Sequence, residues 1–476
     1  MLKEPDLSLF DMLVGPPPLI REDVGKRHLV AAYPAPYHGS RNHLRLLIQA
    51  RRDFLWIWRR KDYGNSYNQM RLLGRQVVVV NAPEGVKQVM ASNHENYERK
   101  SPQMRRALEY LLGDGLFISD GATWRQRRPL VTDIVHKNRV PQFGRVMEVV
   151  TGEMAERWAQ LPPGTPVNAL VEMASLTAEI ISRSVFGNDL GHDNAVEVIE
   201  GFSSYQRLID SLNIGYFLGA DEGWPVWRTP RLKAAVGRVH RVIDKVIDDH
   251  MAGRGDHEAM VDLLVRRQQK NPELGLDRQA LRNEAATIFM AGHETTAATL
   301  TWAWYLLGTA PWSEKHVLRE IQEVCGDRAP TVEDVPNLQY CRAVIEETLR
   351  LYPPVPILAR QAKAADRLGP YDIKPGSLVM VVPWLLHRSH DLWENPHHFM
   401  PDRFLTGRPT PYTYVPFAIG PRICPGLQFG LTEAILCLAI LIQRFRVRVV
   451  PGTKVEPACR LTLRPRGGLP VTVERR

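Results

Sequence analysis

The stretch Phe417-Ala418-Ile419-Gly420-Pro421-Arg422-Ile423-Cys424-Pro425-Gly426 decides how this 476-residue chain is read. A cysteine stands among glycines where an irregular segment gives way to apolar residues at helical spacing, which run to about Phe445. Pro425 suits the first turn of that helix, because its missing N–H would have no partner there. A sulfur at this point meets the positive end of the helix dipole and free backbone donors. Both are expected to lower its pKa and hold it as thiolate. Such a thiolate is a nucleophile or a metal ligand. No histidine base is obviously placed beside it, which favours a ligand.

Upstream, the longest helical pattern runs from Arg278 to Gly308, with Asp277 as N-cap and Gly308 and Pro311 as the stop. Glu284 to Ala310 is the most membrane-like stretch of the chain. It carries His293 and Glu294 near its middle, which suits a buried helix in a soluble core better than a lipid span. Gly292-His293-Glu294-Thr295-Thr296 at its midpoint is poor helix material. Two readings stand: a packing glycine with threonines bonding back to the helix, or a locally loosened helix that holds an acid and a hydroxyl at a site.

The rest reads as mostly helical with short strands near both ends, mainly α with small β-sheets (α+β). Leu44 to Trp58 shows helical spacing, Gln76 to Val80 a buried strand, and Asn81 to Gly85 a turn into a helix. Residues 140 to 350 supply further helices. Ser377 to Pro383 reads as a strand, and Arg446 to Val450 with Arg464 to Gly468 as closing hairpin material. No repeat or low-complexity linker divides the chain. The expected organisation is an extended segment over 1–40, marked by Pro16-Pro17-Pro18 and Pro34-Ala35-Pro36, and one domain over 41–476.

With 44% hydrophobic and 24% charged residues the chain is globular, not disordered. Its five cysteines form no CxxC pair, which points to a reducing, cytoplasmic setting. Cys341 and Cys437 read as core, Cys325 and Cys459 as loop residues. Lys3, Glu4 and Asp6 leave the first ten residues without a signal-peptide core, so no transmembrane anchor is expected. A formal charge of +9, dispersed and without a helix-turn-helix or zinc-finger pattern, reads as a solvated basic surface and predicts no nucleic-acid partner. Trp56 and Trp58 are where a peripheral membrane contact would be made.

The cysteine segment resembles the haem-binding signature of the cytochrome P450 family, Phe-x-x-Gly-x-Arg-x-Cys-x-Gly, at all five fixed positions. Three more patterns of that family follow in its order. Trp124-Arg125-Gln126-Arg127-Arg128 resembles its Trp-x-x-x-Arg helix, and Ala291 to Thr296 its oxygen-activation motif. Glu347-Thr348-Leu349-Arg350 with Pro401-Asp402-Arg403-Phe404 resembles its Glu-x-x-Arg helix and the meander that locks it. The resemblance spans about Gln76 to Val473.

The resemblance implies a P450 fold, a long central helix over a buried haem b, and a haem-thiolate monooxygenase. Cys424 would be the axial iron ligand. Phe417 would pack near the sulfur, and Gly420 and Gly426 would let backbone approach the ring. Trp124, Arg128, Arg360 and Arg422 would hold the two propionates, with His387 a further candidate or an ordinary buried histidine. Thr295 and Glu294 would relay protons to the distal oxygen; His293 has no assigned role. Glu347 and Arg350 would be structural.

The implied partners are O2, a small apolar substrate of fatty-acid, terpenoid or alkane-like type, and a separate ferredoxin or flavoprotein reductase, since no redox domain follows the closing hairpin. The donor would dock near Arg125, Arg127 and Arg444; a monomer is expected. The substrate pocket would be built from Ser101 to Phe117, a lid around Gly201 to Trp227, the helix near Ala291, and Val355 to Leu358. A peroxygenase or isomerase, and a non-catalytic haem sensor, are the alternatives. An intact Glu294-Thr295 argues against the first and a large apolar pocket against the second.

Overall fold

The structure, a computed structural model, describes residues 19–24, 28–36, 43–72, 74–187, 192–208, 228–459 and 461–476. The segments read as an untargeted N-terminus (1–10) and as Pro16 to Pro18 lie outside the described residues, as does the 209–227 part of the expected lid. Six helices position the site: α1 (Pro102–Leu112), α2 (Gly121–Ile134), α3 (Ala169–Phe186), α4 (Arg278–Thr309), α5 (Gln339–Leu351) and α6 (Leu427–Arg444).

Helix α4 crosses the centre. Asp277 caps it, its carboxylate accepting the Ala280 N–H at 2.7 Å. It is buried on nearly every side, which is why its sequence shows no polar face. The helix is unbroken through Gly292 to Thr296, so the loosened-helix reading is corrected. Its threonines bond back instead: Thr295 Oγ1 donates to the Ala291 carbonyl and Thr299 Oγ1 to that of Thr295, at 2.7 and 2.9 Å. Gly292 is a packing glycine, since a Cβ there would stand 2.7 Å from Ile181 of α3. Thr177 of the same helix donates to the His293 carbonyl at 2.9 Å.

Among the described residues, α6 is the one helix long and apolar enough to cross a membrane, and 67% of that window is buried inside the protein. The α4 stretch expected to be most membrane-like does not meet that measure. Trp56 and Trp58 are buried at 8% and 1% exposure, so neither offers the membrane contact that the sequence suggested. They belong to a short turn of 3-10 helix, Phe54–Ile57, and its cap, after a helix that ends at Arg52.

A five-stranded sheet runs in the order Tyr67–Leu72, Arg75–Val80, Leu378–Val381, Leu358–Gln361, Arg99–Lys100, and sets Lys100 directly opposite Arg360. The closing hairpin is corrected. Phe445–Val449 pairs with Pro470–Arg475, and Leu463–Pro465 belongs to another pair with Pro457–Cys459. Gly467 and Gly468, at φ +73° and +93°, turn the chain between the two sheets. Cys325 and Cys459 are also corrected, being buried at a helix end and in a strand rather than in loops.

Glu347 and Arg350 on α5 form a fully buried pair, with two contacts of 2.7 Å. The guanidinium also donates to the carbonyls of His387, Pro396 and His398 at 2.7–2.9 Å, and the carboxylate accepts the Met400 N–H at 2.8 Å. One ion pair thus gathers the irregular 387–400 stretch that ends in Pro401–Phe404. Residues 29–34 dock on the same stretch, through Ala31 N–H to the His397 carbonyl and Phe399 N–H to that of Leu29. Replacing Glu347 by Gln strips a buried guanidinium of its counter-charge and is expected to lower stability by about 3–5 kcal/mol. A urea unfolding curve that superposes on the wild type would contradict this.

Candidate active site

Between α4 and the start of α6 lies a cavity of about 1990 Å³ of atom-free space, mouth included. Leu116, Phe117, Ile288, Val355, Ile357 and Leu358 give it apolar walls, and Cys424, Glu294 and Thr295 all open onto it.

The cysteine loop is shaped by backbone demands. Cys424 N–H donates to the Phe417 carbonyl at 2.8 Å, closing the loop on itself. Gly420 sits at φ +75°, and a Cβ there would stand 2.0 Å from the Met90 carbonyl oxygen. Its need for glycine is therefore packing against residues 88–92, not approach to a ring, which corrects the sequence reading. Gly426 differs: a Cβ there would meet nothing within 4 Å except the Cys424 sulfur, at 3.9 Å, so it would enter the cavity itself.

The thiol expectation is corrected too. Burial pushes the Cys424 thiol above its usual range, and the Gly426 N–H, Arg128 and Lys100 only partly offset this. Helix α6 begins at Leu427 with Gly426 as N-cap, so Pro425 precedes the first turn. Without a ligated cation the sulfur is a neutral thiol.

Around the same cavity stand Trp124 and four cations, Lys100, Arg128, Arg360 and Arg422. Burial lowers the pKa of all four, Arg360 to about 9 and Arg422 to about 10, and Arg422 presses Arg360 and Lys100 further down. Arg422 lies over the Trp124 ring at 4.3 Å and donates to the Ser119 carbonyl at 3.0 Å. Its Nε and Nη2 are buried without a partner among the described residues. Arg360 reaches the carbonyl of its own neighbour Ala359, at 3.5 Å. One buried cation, Arg360, and three half-buried ones beside a soft thiol suit a largely apolar group that carries acidic substituents and a thiophilic metal. Haem matches that donor set.

Glu294 and Thr295 both line the cavity. The Glu294 carboxylate accepts from Thr462 Oγ1 at 2.6 Å and lies 3.7 Å from Arg464, which reaches solvent. His293 is buried, pushed down to about 4, and does not line the cavity. His387 is also off the cavity. Its Nε2 accepts the Val415 N–H at 2.9 Å, so of its two readings the ordinary buried histidine stands.

The expected pocket segments are present at Met104, Leu108, Leu116, Phe117, Ala291, Val355, Ile357 and Leu358, whereas Gly201 to Tyr205 do not line the cavity. Arg127, expected at a docking surface, is buried and ion-paired to Asp114 and Glu284. Arg125 is exposed, and Arg444 pairs with Glu156 at 2.7 Å. Sequence reasoning missed Lys100 and Thr462. Lys100 looked like one more charge in Glu98-Arg99-Lys100, and only its register with Arg360 reveals it.

The family model for Cytochrome P450 matches residues 38–470. Cyclooctatin synthase of Streptomyces melanosporofaciens is 34% identical, over 92% of this chain and 94% of its own. The chloroplastic carotene epsilon-monooxygenase of Arabidopsis thaliana is 28% identical, over 89% and 81%. The heme domain of cytochrome P450DA superposes with a TM-score of 0.76 at 23% identity, covering 93% of this chain and 98% of that one.

Of the five cysteines Cys424 alone is partly exposed. In haem-free protein it is expected to be the first alkylated by iodoacetamide, faster as pH rises toward the raised thiol pKa, and protected by bound haem. Peptide mass mapping that found Cys341 or Cys437 modified first would contradict this.

Proposed function

The chain belongs to the cytochrome P450 family and is a haem-dependent monooxygenase; from that premise we propose a terpenoid monooxygenase whose iron is ligated by Cys424 and whose electrons come from a separate ferredoxin or flavoprotein. The carrying observation is the cavity itself, where a thiol, four cations, with two nitrogens of Arg422 unpartnered among the described residues, and the Glu294-Thr295 pair open onto one apolar space.

Haem held by a cysteine thiolate supplies dioxygen activation, the sulfur's electron push favouring O–O cleavage. The chain's residues do the rest. Arg128, Arg360, Arg422 and Lys100, with Trp124, would neutralise and orient the two propionates. Phe417 would shield the sulfur side, and the opening beside Gly426 leaves room for the ring. Apolar walls exclude bulk water, so protons must be delivered by placed groups. Thr295 Oγ1 holds a proton at the cavity surface, and Glu294 connects that surface to solvent by way of Thr462 and Arg464. This pair favours an O2-dependent enzyme over a peroxygenase, an isomerase or a sensor.

Of the three substrate types, the terpenoid type is favoured by relatives named for cyclooctatin and carotene, and by the scarcity of polar groups on the walls away from the cations. A cytoplasmic monomer is the setting we propose, with Arg125 among the residues that meet an acidic donor.

Two outcomes test the reading. Titration of the ferric protein with terpenoids, fatty acids and alkanes is expected to give a low-to-high-spin Soret shift with terpenoids; a shift with fatty acids alone would overturn the class. Thr295→Ala is expected to lower product per electron consumed by about tenfold or more, the scale of a lost general acid–base group. An unchanged ratio would remove the proton role from Thr295.

A further inference from the structure

The cavity wall that carries Leu116 and Phe117 is held by a second set of charges. Glu284 lies on α4 about three turns before Thr295 and is 1% exposed. Its two carboxylate oxygens accept the Leu116 N–H at 3.0 and 3.2 Å, and Oε1 also accepts from Arg127 Nη1 at 3.1 Å. Arg127 in turn grips the Asp114 carboxylate with two contacts of 2.9 Å, and Asn283 donates to the same carboxylate at 2.8 Å.

The backbone between these anchors packs closely against α4. A Cβ on Gly115 would stand 2.2 Å from Thr287 Oγ1, and one on Gly113, at φ +55°, 2.2 Å from Asn283 Nδ2. The turn continues through Ile118 and Ser119 N–H groups that both donate to the Gly115 carbonyl at 3.1 Å. It ends on the Ser119 carbonyl that receives Arg422. The same turn thus links Glu284 to the cation cluster and carries Leu116 and Phe117 into the cavity.

We propose that Glu284 is a positioning residue for substrate: by holding the Leu116 N–H and Arg127 it fixes the Leu116–Phe117 wall and sets which bulky apolar ligands the cavity admits. The proposal rests on the reading of that cavity as the haem and substrate site. Burial pushes the Glu284 carboxyl up to about 7, so its charge depends on the two donors that face it. The Arg127–Glu284 pair ties α2 to α4 as an ordinary core ion pair would, but the Glu284 carboxylate does more. It also ends on the backbone of a residue that itself lines the site.

The test uses two probes that bind haem iron through the same nitrogen, imidazole and 4-phenylimidazole, titrated spectroscopically into haem-loaded wild type, Glu284→Gln and Glu284→Asp. Glu284→Gln removes the charge facing Arg127 and leaves one acceptor oxygen where two faced the Leu116 N–H, which loosens the wall. It is expected to change the ratio of the two affinities by about fivefold, the effect of one hydrogen bond, with imidazole itself unaltered. Glu284→Asp, which keeps the charge, is expected to fall between. An unchanged ratio, or an equal loss for both azoles, would overturn the proposal and leave the haem site standing. Should Glu284→Gln fail to hold haem, Arg127→Gln is read by the same ratio and the same two outcomes. A wild type that binds neither azole would overturn the haem site and the proposal together.

Discussion

Four cations around a mostly apolar cavity, none in a close ion pair with a carboxylate among the described residues, set the terms for the whole site. Lys100, Arg128, Arg360 and Arg422 come from a strand, α2, another strand and the cysteine loop, so nothing local in the chain gathers them. Their burial depresses every one of their pKa values. Such placement favours an anionic partner, because a desolvated cation is costly and evades the cost by deprotonating or by finding an anion. The cysteine shares the dependence. Burial raises its pKa, and only a metal cation turns it into a strong ligand. On the proposed reading protein and haem would complete each other electrostatically, the propionates meeting the cations and the iron meeting the sulfur.

The scaffold handles its other charges in the opposite way. Glu347 and Arg350 are as deeply buried as any cation of the site, yet the guanidinium has a carboxylate and three carbonyls around it. The Arg127 group is closed likewise, between Asp114 and Glu284. Both satisfied sets tie irregular chain to a helix, the 387–400 stretch to α5 and the 113–119 turn to α4. The contrast separates charge that builds the frame from charge that waits for a ligand. It also shows why Arg127 and Arg128, adjacent in sequence, end in different roles. On a helix, neighbours point about 100° apart, and Arg127 turns to the frame while Arg128 turns to the cavity.

Much of this was legible in the sequence, and what was not has a physical reason. The central helix was read to within a residue, Arg278–Gly308 against Arg278–Thr309, because its cap and stop are chemical signals. The spacing around Cys424 placed the cysteine loop. Lys100 was invisible because its meaning depends on a strand register with a residue 260 positions away. Trp56 and Trp58 were misread as surface because aromatic residues near a basic run look alike whether buried or exposed. The closing strands were paired wrongly because Gly467 and Gly468 mark a turn without saying which sheet each arm will join. The thiol's pKa was misjudged because a helix terminus is local and readable, whereas desolvation is a property of the finished fold.

The centre of α4 shows how one helix serves two demands. A cavity-facing hydroxyl needs an acceptor when nothing else is near, and Thr295 finds one in the Ala291 carbonyl a turn earlier. That bond keeps the helix intact through a glycine and two threonines, so no break is required to expose the group. It also leaves the oxygen of Thr295 able to accept from the cavity side while its proton is held. Beside it Glu294 is tethered by Thr462 to the C-terminal chain and stands near Arg464 at the surface. The two are neighbours on α4, and each is satisfied at rest by a partner outside the pair. On the proposed reading, proton passage would need only side-chain rotation in an otherwise intact helix, which would reconcile a tightly packed core with chemistry that must admit protons and exclude water.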